Sequence, residues 1–149
     1  MEHLSQGLIA VLNEQIRCAE EMLRALSEEN RALVDGDAEL LNRVGAEKAR
    51  LVAALEALET ERRALATAIE THVTHNGSEP SAPDASWRML LTLVAECKAQ
   101  NQRNGTLVKA RSEQVRIALK ALRGSMDPSC YDPSGLAAAP KSARRLGSA

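Results

Sequence analysis

LNRVGAEKARLVAALEALETERRALATAI, residues 41–69, is the stretch that decides the fold. Within it Leu41, Val44, Lys48, Leu51, Leu55, Leu58, Arg62, Leu65 and Ile69 recur at alternating steps of three and four. That interval keeps one face of an α-helix turned toward a neighbour, the seam of a coiled coil. Lys48 and Arg62 are basic residues set into the seam. Polar seam positions fix register at some cost in stability, and long stems carry their charges to solvent at the seam's edge. Both are therefore read as structural residues.

Toward the N-terminus the same periodicity continues in Leu4, Leu8, Leu12, Ile16, Ala19, Leu23, Leu26 and Leu33, with Asn30 at the one missing step. This is the stripe of an amphipathic helix. Between the two runs stands Asp35-Gly36-Asp37, where Gly supplies left-handed geometry and Asp caps the next helix, so the spacing predicts a tight corner. Toward the C-terminus, Thr74 to Asp84 contains two prolines, a glycine and no periodicity, which reads as a loop. A third stripe then runs through Trp87, Leu90, Val94, Cys97, Asn101, Asn104, Val108, Arg111, Val115, Ala118 and Leu122. Helices are expected over about 3–34, 38–73 and 85–123, with a loop at 74–84. Rods of this length, roughly 45 to 55 Å at 1.5 Å per residue, have to pack side by side. The expected architecture is all-α: an elongated antiparallel three-helix bundle or coiled coil over 1–123, with a mobile tail over 124–149.

Composition agrees. The chain has 149 residues, enough for one ordinary domain, and 44% of them are hydrophobic. Phe is absent, and Trp87 and Tyr131 are the only aromatic residues. Leu, Ala, Glu and Arg dominate instead, which are strong helix formers. A net charge of −1 provides no global field to attract nucleic acid or an anionic membrane. The basic Lys141, Arg144 and Arg145 near the C-terminus make only a weak patch. Cys18, Cys97 and Cys130 lack the spacing of a metal site or a disulfide framework. The opening MEHLSQ has no basic region followed by an apolar run, and no stretch approaches the ~18 apolar residues of a membrane span. A cytoplasmic protein with reduced thiols is expected.

Catalytic signatures are missing. There is no Gly-rich phosphate loop, no G-x-S-x-G and no H-E-x-x-H, so no enzyme, cofactor or metal is expected. His72 and His75, three apart, read as surface residues, like His3. Cys97 reads as a small buried hydrophobe and Cys130 as a tail thiol with no assigned use. The cluster Glu59-Thr60-Glu61-Arg62-Arg63 reads as a solvated face in which Glu59 and Arg63 pair along the helix.

One local rule is broken in the third helix, where Asn101, Asn104 and Arg111 occupy places that apolar side chains would normally hold. Either the bundle is polar there, with the amides bonded to neighbouring helices, or the polar groups serve a partner. The run Asn101-x-x-Asn104-Gly105-x-Leu107-Val108-x-x-Arg111, then Gln114-Val115-x-x-Ala118-Leu119-x-x-Leu122, and the tail Tyr131-Asp132-Pro133-Ser134-Gly135 resemble the FlgN family of flagellar type III export chaperones. The resemblance is specific over residues 101–135; the first eighty share only a long, Leu-rich helical character.

The resemblance implies a chaperone that binds hook-associated proteins of the hook-filament junction in the cytoplasm, prevents their premature assembly and delivers them to the flagellar export gate. An amphipathic client helix can lie on an apolar helical face. The residues matched to that role are Asn104, Leu107, Val108, Arg111, Val115, Leu119 and Leu122, with Tyr131 and Leu136 as tail anchors. The pattern is compatible with a homodimer, and the competing reading is a self-associating coiled-coil scaffold whose stripes are used in oligomerisation. A regulatory nucleic-acid binder and an enzyme using Cys97 stand behind it.

Overall fold

The computed structural model describes residues 2–76 and 85–125. They form three helices, α1 (Glu2–Asp35), α2 (Ala38–Asn76) and α3 (Ala85–Ser125), with no strand among the described residues. The all-α expectation holds. α2 runs three residues beyond its expected end at Val73, to Asn76, so the first part of the expected loop is helical. Thr, His and Asn are mediocre helix formers, but each costs well under ~1 kcal/mol relative to Ala, and an established helix carries through them. The rest of that loop, and the tail beyond Ser125 with Cys130, Tyr131, Leu136, Lys141, Arg144 and Arg145, lie outside the described residues.

The corner forms as the sequence suggests. Gly36 has φ 73°, the left-handed region, directly after α1. The Asp37 amide donates to the Ala32 carbonyl at 3.0 Å, closing the end of α1. Asp37 then caps α2, its Oδ1 accepting from the Leu40 amide at 2.9 Å.

Two units divide the chain, Met1–Val108 and Lys109–Ala149. In the first, α1 lies between two neighbours and carries two buried stripes. One holds Cys18, Met22, Ala25 and Leu26 against Val44 and Leu51 of α2. The other holds Leu12 and Ala19 against Leu90 of α3, with Trp87 and Leu93 at the edge. As the α1 partner moves from Glu29 back to Gly7, the α2 partner advances from Lys48 to Leu65, so these helices are antiparallel. α3 follows α1 in parallel, pairing Cys97 with Ala19 and Asn104 with Leu26.

The stripe expected on α3 is rotated slightly. Leu93 and Leu107 are partly buried where Val94 and Val108 were expected, and Val94 is exposed. At each of these steps both neighbouring residues are apolar, and the larger Leu, which gains more from burial, turns inward.

Candidate partner-binding surface

The polar residues set into the helical stripes meet one another across the bundle. Lys48 of the α2 seam forms an ion pair with Glu29 of α1 and donates to Asn101 Oδ1 of α3 at 3.2 Å. Asn30, the missing step on α1, donates to Asn104 Oδ1 at 3.0 Å, and Gln100 donates to the same oxygen at 3.2 Å. Asn104 in turn donates to the Leu26 carbonyl at 2.8 Å and has 0% exposure. Asn104 was expected to offer a polar contact to a partner. Its amide is instead engaged on α1, because a buried amide needs internal partners to offset its lost hydration.

A second polar node ties all three helices. Buried Gln15 of α1 donates to Glu59 Oε2 at 3.3 Å, Arg62 donates to Glu59 at 2.8 and 2.9 Å, and the Arg62 guanidinium lies 4.6 Å from the Trp87 ring centroid on α3. Glu59 also accepts from Arg63 at 2.7 Å, the pairing expected along this helix. The Arg62 guanidinium, joined by Arg63 and Gln15, lowers the Glu59 carboxyl to about 2 against the opposing effect of burial. Gln15 and Trp87 were not anticipated as members of this node, although a Gln on a buried stripe is a signal in itself. Gln15 Oε1 is buried without a hydrogen-bond partner, and nothing among the described residues accounts for it.

The second unit differs in character. Every described side chain from Lys109 to Gly124 is exposed, including Arg111. Val115 is 59%, Leu119 50% and Leu122 61% exposed. Steps of four and three place these three on one face of the helix, so they form a continuous apolar ridge. Of the other expected contact residues, Leu107 is half-buried and Val108 is 42% exposed, both in the first unit.

Cys18 and Cys97 are free, and burial pushes both thiols up, away from the reactive thiolate. Among the described residues no group of three or more His, Cys, Asp or Glu is placed to hold a metal ion, and no helix is long and apolar enough to cross a membrane.

A family model described as FlgN protein matches residues 1–139. No curated protein and no solved structure matches the chain. The family match takes in the first eighty residues, where the resemblance in sequence is only general. Since it runs over nearly the whole length, the chain belongs to the FlgN family of flagellar export chaperones.

Proposed function

We propose that this protein acts in the cytoplasm as the chaperone of hook-associated proteins of the hook-filament junction, holds them unassembled and delivers them to the export gate. One observation carries the reading: Val115, Leu119 and Leu122 form an exposed apolar ridge on one face of the helix in the second unit. An amphipathic helix of the client lies along that ridge, with Arg111 providing a polar contact at its side. Covering each of the three side chains contributes about 1 kcal/mol, since roughly half of each is still available to bury. A contact role for Leu107 and Val108 rests on the sequence resemblance. Tyr131 and Leu136 serve as tail anchors for client or gate, a role that rests on the sequence resemblance.

The test is a pull-down of purified hook-filament junction proteins with the full chain and with Val115→Ser/Leu119→Ser/Leu122→Ser. One-to-one binding that the triple variant loses by tenfold or more is expected. Undiminished binding by that variant sinks the site. The same exposed ridge favours a second reading, a self-associating coiled-coil scaffold, which requires a tight oligomer that the clients neither bind nor dissociate.

A further inference from the structure

The described part of the second unit contains five cations, Lys109, Arg111, Arg116, Lys120 and Arg123, and one carboxylate, Glu113. The imbalance extends across the chain: residues 109–149 hold eight Lys and Arg against three Asp and Glu, whereas residues 1–108 hold eleven against seventeen. Arrangement matters more than number. The ridge reads Val115-Arg116, Leu119-Lys120, Leu122-Arg123, so each apolar residue is followed at once by a basic one. With 3.6 residues per turn, a ridge displaced by one residue becomes a second ridge running alongside the first. Lys109, two turns before Arg116, extends it. Apolar ridge and cationic flank are therefore parallel and both exposed.

We propose that this face selects an amphipathic helix whose apolar stripe is bordered by Asp or Glu, so that charge chooses among client helices. The proposal rests on the reading of the ridge as the client site. A client helix without acidic borders leaves four cations beside a newly dried seam with nothing to offset their lost hydration, and one with basic borders is repelled. Arg116 already holds Glu113 at 2.6 Å, but both side chains are more than half exposed, and such a pair is weak enough to be exchanged for a partner's carboxylate.

Two other occupants fit less well. A second copy of this chain presents the same basic flank, so pairing two such ridges sets like charges against one another. An anionic lipid surface takes Trp, Phe or Leu on the apolar side of such a helix, and this ridge offers it only Val115, Leu119 and Leu122, a short anchor with no aromatic in 109–125.

The experiment titrates the full chain with two synthetic helical peptides that share one Leu stripe, one bordered by Glu and the other by Lys. It is repeated with Arg116→Glu/Lys120→Glu/Arg123→Glu and with Val115→Ser/Leu122→Ser, each checked for helicity by circular dichroism. The Glu-bordered peptide is expected to bind about tenfold tighter or more at ~0.05 M salt, with the advantage shrinking at ~0.5 M. The charge-reversed variant is expected to invert the preference. Equal binding of both peptides, lost in the Val115→Ser/Leu122→Ser variant, overturns charge selection and leaves the client-face reading standing. Binding of neither peptide overturns both. Tighter binding to phosphatidylserine-containing vesicles than to the Glu-bordered peptide, or a dimer that the charge reversal dissociates, overturns the proposed partner in favour of lipid or a second copy.

Discussion

The side-chain amide of Asn104 donates to the backbone carbonyl of Leu26 at 2.8 Å, and neither residue has more than 1% exposure. Seven residues earlier on both helices, Cys97 Sγ lies 3.5 Å from the Ala19 carbonyl. Both contacts join a side chain of α3 to the backbone of α1, which is possible only where the helices approach closely. Ala19, buried on the stripe that faces α3, provides the thin surface that allows it. A shift of α3 by one turn would strand the Asn104 amide among apolar groups. The pair therefore sets the register in which α3 lies on α1.

Replacing Asn104 by Ala should lower stability by about 1–3 kcal/mol, because it leaves the part-buried Asn30 amide without its acceptor as well as opening a void. Urea unfolding followed by circular dichroism measures it. A loss below about 0.5 kcal/mol, the size of an ordinary surface substitution, would show that the bond does not operate.

Acid stability should depend on Glu59. In the folded chain its carboxyl keeps its charge down to about 2, whereas in the unfolded chain it titrates near the ordinary 4.5. Its contribution is therefore complete above pH 4.5 and is lost as the pH falls from there toward 2. Since its side chain is 35% exposed, the amount is about 1 kcal/mol, the scale of a screened pair. Glu59→Gln should flatten the stability profile in that window and leave its shape above pH 5 unchanged. An unaltered acid limb in thermal melts would show that Glu59 plays no part in acid stability.

Cys18 and Cys97 should be slow to alkylate. Burial is the main cause of the raised pKa at both thiols, helped at Cys18 by the Glu14 carboxylate and at Cys97 by Glu96. Mass spectrometry of iodoacetamide-treated protein at neutral pH should find both sites modified about tenfold more slowly than in urea-unfolded chain. Rapid native labelling of Cys97 would show that α3 leaves α1 readily.

Much of this fold is legible in the sequence, and the omissions have physical causes. The Leu41–Ile69 seam and the Gly36 corner follow from local chemistry, and both form where the spacing puts them. The second stripe on α1, Val11, Gln15, Cys18, Met22 and Ala25, is hidden because it mixes amide, thiol and methyl groups, and only a helix with two neighbours needs a second buried face. Asn104 stands out as an anomaly, but its match with Asn30 depends on the register of two helices 74 residues apart. For the candidate surface, the apolar character of Val115, Leu119 and Leu122 is visible in the sequence. Their exposure is not, since burial depends on what the rest of the chain covers. The basic residue after each of them is also in plain view, and its meaning emerges only once the ridge is known to be bare.

The contrast between Leu51 and Leu119 separates holding the fold from holding a client. Both are leucines at helical positions that look alike in the sequence, yet Leu51 is 0% exposed inside the α1–α2 core and Leu119 is 50% exposed. Leu51→Ala removes packed methyl groups and leaves a void, at a cost of about 2–5 kcal/mol. Leu119→Ser removes a side chain that touches mainly water and should change stability by no more than about 0.5 kcal/mol. Binding should respond in the opposite order. Leu119→Ser should weaken capture of a hook-associated client several-fold in a folded protein, whereas a moderate core variant, once kept below its unfolding temperature, should bind with native affinity. Urea midpoints and client titrations on the same two preparations decide it. If Leu119→Ser destabilises the chain as much as Leu51→Ala, the ridge belongs to the protein's own packing and the client must dock elsewhere.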